Sequence, residues 1–485
     1  MKKVIKEIRE NLGDVDKLSS FMSGIGFSDS RRAAINLHNL EKGLKNQDIF
    51  NRLLSSILNC SLESPDPDMA LNNLERFAAG YEDKDQFFIF ASHHKDVLPL
   101  LILLFGSSQY LSNFLFSSPQ ENLAWLTGKD LLKESLSKES MLEYLRGLIS
   151  ARTSLNELKS ILRKFRKKEY IRITLRDALG YGTLAEITRE ISNVADVCLQ
   201  IAYDVCNRDM VKRYGRPMYT DMDGDIHECS FTVLGMGKHG GEELNYSSDI
   251  DIMYLYTSEK GETTSGLLTN HQYYVKLSEM ISNVIGDTTD EGFVFRVDTR
   301  LRPEGTRGDL ACSLRSYEVY YESWGKTWER AALLKARPVA GDELLGRAFL
   351  TMIQPFVYRK YLDFTAINEI RGMKTKINQN LEVKGRDIKD VKLGYGGIRE
   401  IEFFIQALQL LYGGKEPWIR ERNALRALHR LAQKGFISYE EEGTLSKAYQ
   451  LLRRIEHMIQ IVGERQTHVM PTDLRELTTL EKGGV

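Results

Sequence analysis

Asp249 and Asp251 stand two apart in SSDIDIMYLY, an apolar, β-branched and aromatic run that reads as a strand. On a strand, residues i and i+2 share a face, so both carboxylates project together while Ile250 and Ile252 point into the core. Two carboxylates on one face repel unless a cation lies between them. Mg²⁺ suits such a pair: it takes hard oxygen ligands from a few carboxylates and fills the remaining positions with water and phosphate oxygens. GFVFRVDTRLRP, from Gly292, supplies a third carboxylate. Val294, Arg296, Asp298 and Arg300 alternate there onto one face, so a strand carrying Asp298 beside the pair completes a three-carboxylate metal site.

Other chemistries compete for the same stretch. Gly235, Gly237 and Gly240 spell G-x-G-x-x-G after an apolar run, the dinucleotide fingerprint. That site needs a helix of several turns after the glycines and an acidic residue some 20 positions on. Only eight residues separate Gly240 from Asp249, and Asn245, Ser247 and Ser248 among them favour turns. A phosphate-binding P-loop also fails, because Lys238 is followed by histidine and lacks the preceding glycine spacing. A sugar-nucleotide glycosyltransferase uses D-x-D as well, but wants a nucleotide-binding α/β half ahead of the motif, where helical patterns stand instead. The plain reading is a pair of solubilising aspartates; their place between a Gly-Gly turn and the run IMYLY weighs against it.

The elements that must hold these residues form three stretches. Residues 1–165 read as helices, with apolar residues three and four apart in NLERFAAG and VLPLLILLFGSSQYLSNFLF. Residues 166–345 hold the short strand patterns CSFTVLG, DIDIMYLY and GFVFRVDTRLRP around a helix, HQYYVKLSEMISNVIG, whose stripe is Tyr274, Leu277, Met280, Ile281 and Val284. Residues 346–485 return to helix in GGIREIEFFIQALQLLYGG and TLSKAYQLLRRIEHMIQIVG. The fold class is therefore α+β and predominantly α-helical, with a small α/β domain between an N-terminal helical region and a C-terminal helical bundle. The segment ILRKFRKKEYIRITLRDALG places seven basic residues within 14 positions; a solvated helical face is favoured over an anion- or partner-binding surface.

At 485 residues the chain exceeds what one core holds. Hydrophobic residues at 42% and charged residues at 27% are an ordinary globular balance. A net charge of −1 offers no global field for nucleic acid or an anionic membrane. Cys60, Cys198, Cys206, Cys229 and Cys312 have no C-x-x-C spacing, which predicts reduced thiols rather than disulfides or zinc. The charged opening MKKVIKEIRE is no signal peptide, and the apolar run from Val97 to Phe105 is too short for a bilayer. A cytoplasmic location is expected.

A glycine-rich turn before D-h-D, with an acidic residue on a later strand, resembles the polymerase-β-like nucleotidyltransferase superfamily. Within it, GMGKHGGEELNYSSDIDIMYLY, DTRLRPEGTRGDLACSLRSYEVYYESWGKTWERAALLKARPVAGD and KLGYGGIREIEFFIQALQLLYGG are similar to glutamine synthetase adenylyltransferase. LRKFRKKEYIRITLRDALG and RRIEHMIQIVGERQTHVMP extend the resemblance over nearly the whole chain. That family joins two homologous nucleotidyltransferase halves; the single D-x-D block, reading ELNYSSDID from Glu243 to Asp251, resembles the N-terminal, adenylyl-removing half.

The resemblance implies that residues 166–345 are the catalytic domain and that Asp249, Asp251 and Asp298 hold Mg²⁺ or Mn²⁺. Inorganic phosphate then attacks the adenylyl-tyrosine of glutamine synthetase, giving ADP and free tyrosine. It implies glutamine synthetase, a PII-type signalling protein, phosphate and ATP or ADP as partners. ATP-dependent adenylylation and a purely regulatory binding module are the alternatives. Gly240, Gly241, Ser247 and Ser248 become candidates for nucleotide phosphates. Arg300, Arg302, Lys335 and Arg337 become candidates for the attacking phosphate, against structural ion pairs with Glu304, Glu329 or Asp342. The glycines of KLGYGG lead into a helix whose first amides favour an anion, or simply cap it. Glu402 lies on the apolar side of that helix and needs a partner, Arg399 or a group of the catalytic domain. His239 and His457 read as packing or surface histidines.

Overall fold

The computed structural model describes residues 2–128, 131–289, 291–359, 390–463 and 466–473, with Gly372, Leu477, Thr478 and Lys482. The helical expectation for 360–389, and Glu464 and Arg465 of the GERQTHVMP stretch, lie largely outside them. The chain is predominantly helical with small sheets, as the patterns predict. Contacts group it into two units rather than three successive ones: residues 1–135, 167–183 and 454–485, and residues 136–166 and 184–453.

The first unit is built from helices, beginning with Lys2–Glu10, Val15–Ile25 and Ser30–Glu41. Aspartate or asparagine side chains cap many of them; Asp14, Asp29, Asn46 and Asp66 each accept from a backbone amide of the first turn. The helix Val97–Ser107 is apolar all round and buried, and Pro99 sits in its first turn, where a missing N–H is tolerated. Among the described residues no single helix is long and apolar enough to cross a membrane.

The basic segment is not a solvated face. Arg172 and Arg176 are buried, Arg172 donating to Glu169 at 2.8 Å and Arg176 to the Leu132 carbonyl at 2.7 Å. In the second unit Arg163 and Arg166 of the same helix, Leu155–Ala178, are buried too. Arg163 donates to the Asp287 carbonyl at 2.7 Å, and Arg166 lies over the rings of Phe293 and Phe295. Neither the solvated face nor an open anion surface describes these arginines; their stems and planes are packing groups.

The second unit is organised on a five-stranded sheet. β1 (Met218–Thr220) and β2 (Ile226–Glu228) form a separate hairpin. In the sheet, β3 (Phe231–Met236) lies antiparallel to β4 (Ile250–Tyr256) and to β7 (Arg337–Gly341). β5 (Val297–Asp298) and β6 (Ala311–Ser313) share the other side of β4, both parallel to it. Leu234, Met236, Met253 and Leu255 pack under Tyr317, Leu333 and Phe349. On the opposite face Phe231, Tyr254, Tyr256 and Tyr274 stack. Covered on both faces, β3 is buried at every position, which explains its nearly continuous apolar run; its Thr232 hydroxyl donates to the Ala340 carbonyl at 3.1 Å. β7, carrying Pro338, is an edge strand with a bulge opposite Val233 and Leu234, where a missing donor is tolerated.

Asp196, on the helix Leu184–Tyr214, ties this sheet to its surroundings. Its buried carboxylate accepts from Arg337 Nη1 at 2.6 Å and Nη2 at 2.9 Å, and from Lys138 Nζ at 3.0 Å. His239 Nε2 lies 2.7 Å from it. Burial alone would raise the Asp196 pKa; Arg337, His239 and Lys138 overcome that and hold it far below the usual carboxylate range. For His239, burial lowers the pKa below 6.5; the Asp196 carboxylate opposes this, but Arg337 and Lys138 add to the lowering. No described residue partners the His239 Nδ1, which fits a neutral ring with Nε2–H donating to Asp196.

A histidine held neutral in the fold but free to protonate when unfolded lets the unfolded state bind more protons as pH falls. Stability from this group is complete above about pH 6.5 and declines below it, with a slope approaching 1.4 kcal/mol per pH unit. His239→Gln is therefore expected to flatten the fall in Tm between pH 7 and pH 5 relative to wild type, measured by calorimetry. Parallel Tm profiles for the two proteins would place the acid sensitivity elsewhere.

Candidate active site

The D-x-D pair lies where β4 begins, with Asp249 just ahead of the strand and Asp251 as its second residue. Ile250 and Ile252, which alternate with them, are fully buried, as strand alternation requires. β5 runs parallel beside β4 with Asp298 directly opposite Asp251. The three carboxylates named from spacing are thus brought together. The strand predicted around Asp298 shrinks to two residues, and Val294 and Phe295 are both buried rather than alternating.

Electrostatics record how close the carboxylates are. Asp251 is pushed up to about 7 by burial and then by the charges of Asp298 and Asp249; Lys392 and Arg300 pull it back only partly. Asp298 is lowered, chiefly by Arg300. The Arg300 Nε donates to its Oδ1 at 3.0 Å and Oδ2 at 2.9 Å, and the Arg300 amide donates to Oδ1 at 2.8 Å.

Gly237, with φ of +52°, lies against Asp251: a Cβ there would meet Asp251 Oδ2 at 2.4 Å. The glycine beside the carboxylates is therefore Gly237. Gly240 and Gly241 serve another contact. A Cβ on Gly240 would strike the Lys335 carbonyl at 2.0 Å, and one on Gly241 would strike Glu243 Oε2 at 2.7 Å. Both glycines are required by packing. Glu242 follows them in a left-handed conformation, φ +59°, unusual for a residue with a side chain.

Arg296, absent from the candidates above, organises the approach to the pair. Its Nε donates to Asp249 Oδ1 at 2.6 Å, and its Nη2 donates to the Ser247 carbonyl and, at 3.0 Å, to Ser247 Oγ. Ser247 is buried in that interaction, while Ser248 is half-exposed and its Oγ accepts from the Asn245 amide at 3.0 Å. The only signal for Arg296 was its place two residues before Asp298. Lys392, from KLGYGG, joins the site as a half-buried cation acting on Asp251.

Three of the four basic candidates prove to be engaged elsewhere. Lys335 Nζ donates to Glu243 Oε2 at 2.6 Å and to Glu402 Oε1 at 3.2 Å, buried among them. Arg337 is the partner of Asp196. Arg302 donates to the Thr299 carbonyl at 2.9 Å, Thr299 Oγ1 at 2.8 Å and the Gly308 carbonyl at 3.1 Å, fixing the turn after β5. These are structural contacts, though not with the neighbouring Glu304, Glu329 or Asp342. Arg300 alone remains exposed at the carboxylates. Glu402 finds its partner in Lys335 and in Tyr449, whose hydroxyl donates to it at 3.3 Å, rather than in Arg399.

The donor set fits a hard divalent cation: oxygen-only, triply anionic, crowded enough to raise Asp251, and with Gly237 leaving room beside it. Such a site, with Arg300 and Lys392 at its margin, can bind phosphate oxygens and the cation together.

A family model for glutamate-ammonia ligase adenylyltransferase matches residues 98–352, and one for GlnD PII-uridylyltransferase matches residues 371–482. A bifunctional glutamine synthetase adenylyltransferase/adenylyl-removing enzyme of Nitrosococcus oceani is 40% identical over 404 residues, which is 83% of this chain and 41% of that protein. Proteins of the same name from Shewanella woodyi and Pseudomonas aeruginosa are 38% identical over 374 residues and 41% identical over 320. These cover 76% and 66% of this chain, and 38% and 32% of the relatives. The chain thus spans about two fifths or less of the length of the curated relatives it matches. The first family model takes in the whole carboxylate site and more than half of the residues, and the chain belongs to the glutamate-ammonia ligase adenylyltransferase family.

Proposed function

We propose that this chain is a nucleotidyltransferase that removes AMP from an adenylylated tyrosine of glutamine synthetase by phosphorolysis. The observation that carries the reading is the convergence of Asp249, Asp251 and Asp298 at the start of β4, with Arg300 exposed beside them. The direction rests on the resemblance of ELNYSSDID to the adenylyl-removing half, and relatives named for both adenylyl transfer and adenylyl removal support the substrate. The match of residues 371–482 to a PII-uridylyltransferase model supports a PII-type protein as regulator.

Nucleotidyl transfer requires alignment and charge neutralisation more than covalent help. When bound by the three aspartates, Mg²⁺ or Mn²⁺ supplies the charge that lets anionic phosphate approach an anionic phosphodiester. Arg300, now on Asp298, is placed to turn its guanidinium onto the incoming phosphate, for which its fork suits two oxygens. Lys392, whose charge lowers the Asp251 pKa, helps to balance the negative charge. Arg296 holds Asp249 and Ser247 in register, and Ser248 with the amides near Gly237 offers donors to the nucleotide phosphate. A phosphate oxygen forms the new bond to the α-phosphorus, the bond from phosphorus to the tyrosyl oxygen breaks, and the tyrosine takes up a proton. ADP and the unmodified tyrosine leave.

Incubation with adenylylated glutamine synthetase, Mg²⁺ and radiolabelled inorganic phosphate, with and without a PII-type protein, is expected to place label in the β-phosphate of ADP. Labelled ADP absent in both cases, with ATP instead driving AMP onto glutamine synthetase, would assign the forward reaction. Asp251→Asn is expected to lower turnover by at least about 100-fold and to weaken Mg²⁺ dependence while keeping the wild-type Tm or raising it, since it removes like-charge repulsion. Full turnover of that variant in a chelator would exclude the metal role. Arg296→Gln leaves all three carboxylates in place but loosens Asp249, and a loss of about 10- to 100-fold with a raised Mg²⁺ requirement is expected. An unchanged Mg²⁺ titration curve would reduce Arg296 to a packing role.

A further inference from the structure

Away from the carboxylates, a cleft of about 280 Å³ opens between the helix Glu343–Val357 and the segment 420–430. Leu350, Ile353 and Val357 line one side; Arg420, Arg422 and Arg430 line the other, with Glu421 as the acidic residue among the described lining. Glu421 is saturated. Its Oε1 accepts from the amides of Arg422 at 2.8 Å and Asn423 at 3.1 Å and lies 3.3 Å from Arg426, while its Oε2 meets Arg430 at 2.9 Å.

Two of the three arginines have internal partners. Arg420 donates to the Gly413 carbonyl at 2.7 Å and to Gln354 at 3.1 Å, and lies over the Tyr358 ring. Arg430 donates to the Trp418 carbonyl at 3.1 Å as well as pairing with Glu421. Arg422 differs: it is half-buried, and its guanidinium makes no hydrogen bond or ion pair to any described residue. Burial and then the cations Arg337 and Arg426 push its pKa down, and Glu242 and Glu421 offset this only in part. With its burial and cationic neighbours only partly offset by those two carboxylates, an anion at that point removes the remaining cost.

We propose that this cleft binds a small organic carboxylate, its head group forked by Arg422 and its short carbon chain laid against Leu350, Ile353 and Val357. The volume is at the lower limit of small-molecule sites, which favours such an anion over a nucleotide. The apolar wall favours a carboxylate with a carbon tail over inorganic phosphate. Nothing in this site is shared with the three aspartates.

The full chain is tested by thermal shift and titration calorimetry at constant ionic strength, with chloride, acetate, butyrate and inorganic phosphate as probes. Butyrate is expected to give a saturable rise in Tm, larger than that of acetate and absent with chloride. Arg422→Gln is expected to lose the butyrate effect and to have a Tm in chloride no lower than wild type, because it relieves an uncompensated charge. Arg422→Lys, which keeps the charge without the fork, is expected to bind butyrate more weakly than wild type. Equal stabilisation of wild type and Arg422→Gln by butyrate, or no stabilisation beyond chloride, overturns the site. Stabilisation by phosphate alone overturns the carboxylate assignment.

Discussion

Like charges gathered at the beginning of one strand set the terms for the second unit. Asp249, Asp251 and Asp298 meet there, and burial followed by the charges of the other two drives Asp251 toward neutrality. That cost is tolerated because two of the three carboxylates are held by an arginine. Arg296 steadies Asp249, Arg300 forks onto Asp298, and Asp251 is left with two acidic neighbours and a glycine that yields space. The partially protected triad is a site built for an added cation, since a cation converts its main destabilising interaction into its main attractive one.

Holding three repelling groups in register needs a stiff support, and most of it lies behind the site. The loop from Gly240 to Ser248 is pinned from several elements at once. Glu243 accepts from Lys335 Nζ at 2.6 Å and from the Ala424 amide at 2.6 Å. Arg453 Nη2 donates to the Glu243 carbonyl at 2.5 Å and also to Asn245 Oδ1, while its Nη1 donates to the Tyr449 hydroxyl at 3.0 Å. Removing one member would leave the others charged and buried, which is costlier than the pair is worth. The network therefore acts through rigidity: it specifies one conformation for the loop that delivers Ser247, Ser248 and Asp249.

What could be read from the sequence follows the range of the interactions. The Asp249–Asp251 pair, the two central strands and the long helices were legible because their signals are local: period two, period 3.6, and turn residues between them. Asp298 was legible because its strand is short but its charge is conspicuous. The edge strand β7 was not, since Pro338 and Gly341 weaken any strand pattern and only pairing with β3 reveals it. Charge without distance misled in two ways. Lys335 and Arg337 look like phosphate ligands from their neighbours in LLKARP, yet their partners, Glu243, Glu402 and Asp196, stand far off in the chain. The arginines from Arg163 to Arg176 look solvated because seven basic residues crowd 14 positions, yet four of them end in carbonyls, a carboxylate or aromatic faces.

Glu402 shows how a local oddity points to a distant constraint. A carboxylate on the apolar stripe of the helix Ile398–Tyr412 is a violation of pattern, and a violation requires a partner. The partner comes from Lys335, two residues before β7, so the ion pair joins the C-terminal helices to the sheet. Tyr449 and Arg453 extend the same link to the loop before Asp249. A boundary drawn near residue 345 would cut the Lys335–Glu402 and Arg453–Glu243 contacts and leave Glu402 buried without Lys335. The helices after that point are accordingly part of what keeps the catalytic loop in place, and residues 184–453 lie in one unit.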